Sequence, residues 1–163
     1  MESKTESKRQ SDIYSSSSSS SHEPEPASKH SPSAARAEQM VAKACHWVRL
    51  HPEKWRKLKD FCVYLMEEGD LIQRGNVYEL ARRYGMDVRL ASEFKRDHNL
   101  WSVLARYMVM ERPCLLSAIC FRETPVDAVD LAGYWRDIVG ADAFVASSLA
   151  EARRIWDVQR GAR

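Results

Sequence analysis

The chain has 163 residues, 44% of them apolar, with a mean hydropathy of −0.50 and a formal net charge of +2. No run of about 18 uncharged apolar residues occurs, which excludes a single-pass membrane helix. The start of the chain lacks the apolar core of a secretory signal, so a cytoplasmic protein is expected. A net charge this small does not argue for nucleic acid by itself.

The first 36 residues hold 13 serines and three of the six prolines, and Met1, Ile13 and Tyr14 are their only large apolar residues. Such a composition cannot bury enough apolar surface to offset chain entropy. Residues 1–33 are therefore expected to be a disordered Ser/Pro-rich tail, read as a flexible leader with no specific task. Residues 34–163 suffice for one domain with its own core, without disulfides or metal.

From Ser33 the apolar residues recur at helical spacing. Ser33 is placed to cap a first helix whose stripe is Ala37, Met40, Val41, Ala44, Cys45 and Val48. Pro52 stops it and, being welcome in a first turn, opens a second helix with Trp55, Leu58, Phe61, Cys62 and Leu65 inward. The other face carries Lys54, Arg56, Lys57 and Lys59, and Gly69-Asp70 is the stop. Asn76 and Glu79 have capping-box spacing. They precede a two-turn helix with Val77, Leu80, Ala81 and Tyr84 buried, ended by Gly85. Asp87 is placed to cap the next segment, with Leu90, Ala91 and Phe94 apolar.

After Asp97-His98-Asn99, Asn99 is the expected cap of a helix through Arg112. Leu100, Val103, Leu104, Tyr107 and Met108 face inward, and Pro113 ends it. Residues 114–121 (CLLSAICF) fit either a short helix or a buried strand. Thr124-Pro125 restarts a helix with Asp127 at its third position and Val126, Val129, Leu131, Ala132, Trp135 and Ile138 apolar, up to Gly140. Asp142 opens the last helix, with Val145, Leu149, Ala152, Ile155 and Trp156. The sum is an all-α domain of about seven helices.

Catalytic signatures are missing. Neither a phosphate-cradling glycine loop, nor a nucleophile elbow, nor a zinc-protease helix occurs. No cofactor is implied, and a non-enzymatic protein is expected. Asp127, Asp130 and Asp137 on one helix have the residue type of a Mg²⁺-dependent nuclease, but a solvated helix face explains them more simply. Cys45, His46, His51 and Cys62 match no standard zinc spacing. With Cys114 and Cys120, the cysteines read as small buried hydrophobes. His98 reads as a polar hinge, and the five tryptophans, one on each of five helices, as core.

The segment with most to say is 77–96, VYELARRYGMDVRLASEFKR. A helix-turn-helix needs a small residue in its first helix for close crossing, here Ala81. Four residues on it needs one tolerant of positive φ, here Gly85. The second helix would turn Leu90, Ala91 and Phe94 inward and present Arg89, Ser92, Lys95 and Arg96 to DNA. Arg82 and Arg83 would hold phosphates, helped by the basic stretch 54–59. Glu93 opposes this, because it would face the groove. Two packed helices with a solvated charged face remain the alternative. Charge is uneven along the chain: residues 81–112 carry seven basic and four acidic groups, and 113–151 two and six.

Residues 94–122, FKRDHNLWSVLARYMVMERPCLLSAICFR, resemble small helical proteins carried by bacteriophages and other mobile elements. The resemblance rests on Asn99, Arg106, Tyr107, Pro113, Leu115 and Arg122. It implies a winged-helix-like or helix-turn-helix unit that binds double-stranded DNA, although no Asn-Gly or Asp-Gly hairpin is present for a wing. The expectation is a phage or mobile-element regulator, for which a homodimer is compatible but not demanded. The rival expectation is an interaction module of the anti-CRISPR type. It would inhibit a host nucleic-acid enzyme through an acidic flank of Glu123, Asp127, Asp130, Asp137 and Asp142.

Overall fold

The structure is a computed structural model, which describes residues 32–86, 97–139 and 144–162. Among the described residues six α-helices follow in chain order: α1 (Pro32–Leu50), α2 (Pro52–Glu67), α3 (Val77–Arg83), α4 (His98–Glu111), α5 (Leu131–Val139) and α6 (Leu149–Gly161). Two 3₁₀ turns, Pro113–Ser117 and Pro125–Ala128, lie between α4 and α5. Among the described residues no strand forms, only an isolated parallel bridge between Ile72 and Ile119. The expected all-α class is what is found. The tail 1–31, the segment 87–96 and residues 140–143, including Gly140 and Asp142, lie outside the described residues, as does the side chain of Ile138.

α4 is the axis of the fold. Its buried residues are Leu100, Trp101 and every position from Val103 to Met110, so it is enclosed on all sides rather than along one stripe. α1 packs on α4, on α5 and on the Pro125–Ala128 turn, while α6 and the Pro113–Ser117 turn pack on α4 and on each other. α2 buries Trp55, Leu58, Phe61, Cys62 and Leu65, the stripe expected from spacing. Burying each large apolar side chain of such a stripe stabilises by about 1.5–3 kcal/mol before entropy is counted.

Both glycine stops close in the same way. After α2, Gly69 stands at φ +79°. Its N–H donates to Met66 O at 3.1 Å, and the Asp70 N–H donates to Leu65 O at 2.9 Å. After α3, Gly85 stands at φ +68°. There Gly85 N–H donates to Arg82 O and Met86 N–H to Ala81 O. This is the Schellman pattern, which gives the last orphan carbonyls a donor and needs a residue free of a Cβ at the left-handed position.

The start signals fared differently. α1 begins at Pro32, so Ser33 stands within its first turn instead of at the cap. Asn76 makes no capping bond. Its side chain accepts from Gln73 N–H and donates to Leu71 O, stapling the preceding loop. Asp97, not Asn99, caps α4, accepting from the N–H groups of Asn99 and Leu100. Residues 114–121 take the short-helix alternative in part: Pro113 opens a 3₁₀ helix that ends at Ser117, after which Ile119 makes the isolated bridge.

The helix expected from Thr124 is two pieces. Asp127 accepts from the Thr124 N–H at 2.8 Å and closes a short turn, then Val129 goes extended at φ −83°, ψ 142°. α5 starts only at Leu131. Ser148 caps α6, its hydroxyl accepting from Glu151 N–H, so Val145 lies outside that helix and is exposed.

Candidate nucleic-acid interface

The first half of the 77–96 unit is described. α3 turns Val77, Leu80 and Ala81 into the core, and the chain reverses at Gly85. Tyr84 is partly buried, stands edge-on to Tyr64 and donates its hydroxyl to Asp70 Oδ2 at 2.7 Å. That hydrogen bond pushes the Tyr84 hydroxyl pKa up. The bond ties the end of α3 to the end of α2. The four expected base and phosphate contacts beyond the turn, Arg89, Ser92, Lys95 and Arg96, lie outside the described residues.

Arg82 and Arg83 point outward. Arg82 sits 3.6 Å from Glu79 and Arg83 3.7 Å from Asp70, with the two arginine side chains 62% and 64% exposed. Pairs this long and this wet are worth little and exchange readily. Both guanidiniums are thus available to a phosphate at small cost.

Of the basic stretch on α2, Lys59 is committed elsewhere, whereas the pairs of Arg56 are exposed. Lys59 donates to both carboxylate oxygens of Glu111, at 2.7 and 3.0 Å, and lies 5.4 Å from the centre of the Trp55 ring. Arg56 bonds Glu53 at 2.9 Å and lies 3.6 Å from Asp60. Lysine 59 therefore links α2 to α4 and is not a phosphate ligand.

The acidic residues do not converge. Asp127 is bound to the buried Arg106, which also donates to Ser102, Thr124 and the Arg122 carbonyl and lies over the Phe121 ring. Burial pushes the Asp127 carboxyl pKa up, and the hydrogen bonds from Arg106 and the Thr124 N–H, with the nearby positive charges, together outweigh this and hold it below the usual carboxylate range. Asp130 accepts from Gly133 N–H at the start of α5. Glu123 and Asp137 are exposed, and Asp142 lies outside the described residues. No group of three metal-binding side chains occurs among the described residues. The expected acidic flank therefore has one member, Asp127, turned inward.

Of the residues that carry the family resemblance, Arg106, Tyr107, Pro113 and Leu115 are core. Asn99 and Arg122 are exposed. Cys45 and Cys62 are buried, whereas Cys114 is half-buried and Cys120 exposed, so the reading of all four as buried fails for the last. His46 Nδ1 accepts from Arg49 and His51 packs edge-on against Trp47, and no zinc quartet forms among the described residues. Trp55, Trp101 and Trp135 are buried; Trp47 and Trp156 are half-buried.

No family model, curated protein or solved structure matches this chain. What fold and site define is a class: an all-α domain in which a short helix ends in a glycine turn beside two exposed arginines. No helix among the described residues is long and apolar enough to cross a membrane.

Proposed function

We propose that this protein binds double-stranded DNA without catalysing a reaction, through the unit at 77–96, as a regulator of the phage or mobile-element kind acting in the cytoplasm. The segment after Gly85 enters the major groove. Arg89, Ser92, Lys95 and Arg96 contact DNA, and Arg82 and Arg83 hold phosphates. The observation that supports the reading is the turn itself: Ala81 is buried against the core and Gly85 takes φ +68°, the two local requirements of a helix-turn-helix.

Gel-shift titration of the full chain at low salt tests this. Duplex is retained, Arg89→Ala and Arg96→Ala weaken retention, and Arg82→Ala lowers the salt slope by about one unit. Absence of retention for every duplex at low salt overturns it.

A further inference from the structure

We infer that a second cationic site, a groove formed by the start of α1, the start of α4 and residues 119–126, binds the phosphate backbone of a single nucleic-acid strand. Three hollows join to make it, of about 430, 200 and 550 Å³. The first and second share His98, Ser102 and Thr124, and the second and third share Arg74, Trp101 and Arg122. Arg36 stands only in the first and Gln73 only in the third, so the cleft extends well past either end of the shared residues.

Its chemistry is one-sided. Arg36, Arg74, His98 and Arg122 line it, and among the described residues no carboxylate does. Of the acidic groups next to its wall in sequence, Glu123 is exposed and Asp97 is held by Lys43, and neither lines the three hollows, while Asp127 is paired with Arg106. Arg106 borders the middle hollow with its donors spent on Asp127, Ser102, Thr124 and the Arg122 carbonyl. It therefore neutralises Asp127 without serving as a ligand itself. Among the described residues neither Arg36 nor Arg122 forms an ion pair.

Arg74 donates to His98 Nδ1 at 2.9 Å. Arginine has no acceptor, so that nitrogen carries the lone pair and Nε2 carries the hydrogen, adding a donor to the cleft. The two outer hollows have the size of a small-ligand pocket, while the spread of arginines along the cleft suits successive phosphates. A duplex read by the 77–96 unit is a different ligand, and this site rests on Arg36, Arg74, His98 and Arg122 alone, so it does not depend on that reading.

The test is fluorescence anisotropy of the full chain with a labelled single-stranded oligothymidine, set beside a duplex titration. Arg36→Gln and Arg122→Gln are the variants, with Arg160→Gln on α6 as a charge-matched control and thermal denaturation as the check on folding. Each groove variant lowers single-strand affinity several-fold and reduces the salt slope by about 0.7, and Arg160→Gln changes neither. Single-strand affinity unaltered in the folded double variant overturns the proposal. So does single-strand binding that falls with Arg89→Ala but not with Arg122→Gln, which leaves the duplex reading standing. Competition by inorganic pyrophosphate as strong as by the oligonucleotide also overturns it, because the site then takes a free phosphate and not a strand. Loss of duplex retention alone, with single-strand binding still sensitive to Arg122, supports it.

Discussion

Arg106 and Asp127 meet in a two-point ion pair, Nε to Oδ1 at 2.7 Å and Nη2 to Oδ2 at 2.9 Å. The guanidinium is 2% exposed and the carboxylate side chain 21%. Together they pin the turn before α5 to the middle of α4, and α1 packs across both. Arg106 is tolerated in the core because the carboxylate, two hydroxyls and two carbonyls replace the water its donors lose.

Asp127→Ala strands a buried cation. A loss of about 3–5 kcal/mol is expected, read by urea denaturation followed by circular dichroism. Changing Arg106→Leu in the same chain recovers a good part of it. A loss under 1 kcal/mol for Asp127→Ala would show the pair to be ornamental.

The same pair sets an acid limb. The Asp127 pKa is lowered in the folded chain, the opposing effect of burial being outweighed by the hydrogen bonds from Arg106 and the Thr124 N–H together with the nearby positive charges. Its stabilisation is complete above the unfolded-chain carboxyl pKa and is lost as pH falls through the lower folded value. Asp127→Asn therefore flattens part of the fall in stability on acidification. Identical slopes in melting temperature against pH for both proteins would refute this.

Gly85→Ala forces a Cβ into the left-handed region at φ +68°, although no atom crowds the added methyl. The cost is conformational, about 1–2 kcal/mol in thermal unfolding. Gly85→Asn costs less, since asparagine visits that region more readily. If steric contact were the cause instead, asparagine would be the worse of the two.

Lys59 and Glu111 separate structural from surface charge. Their side chains are 19% and 15% exposed and bridge α2 to α4. Glu111→Ala is expected to cost about 1.5–3 kcal/mol, the range for charged hydrogen bonds. The exposed Arg56–Glu53 pair is i,i+3 on one helix, and its removal leaves the denaturation midpoint unchanged within error. Lys59→Ala also leaves the salt slope of DNA binding unaltered, because that ammonium is already spoken for.

The thiols should report the packing directly. Burial pushes the Cys62 thiol up to about 12 and also raises Cys45, whose Sγ lies 3.2 Å from the Tyr107 hydroxyl. An aromatic disulfide reagent added to the native chain labels Cys120 first and Cys114 more slowly. Cys45 and Cys62 react only on unfolding. Peptide mapping by mass spectrometry reads the order, and early labelling of Cys62 would contradict the described core.

Helix stripes were legible because burial follows a period. Trp55, Leu58, Phe61, Cys62 and Leu65 come from spacing alone and are the buried face of α2. Caps were less legible, since several neighbouring polar residues compete for the same N–H groups. Asp97 wins over Asn99 and Ser148 closes α6, while Asn76 spends its amide on the loop behind it. The break at Val129 left no local mark, because Val126, Leu131 and Trp135 keep helical spacing across it, and the Asp127–Arg106 pair holds the first turn apart.

The amino-acid order determined the all-α class, the stripes, and the stops at Gly69 and Gly85, because backbone sterics and periodicity act over a few residues. Only the tertiary structure decided which charges remain for a ligand. Arg106 finds Asp127 at a separation of 21 residues, and Lys59 finds Glu111 at 52. Arg36, Arg74 and Arg122 reach one cleft from three separate parts of the chain. Coulomb energy depends on distance in space, and that distance is set by how the helices pack, not by how the residues are ordered.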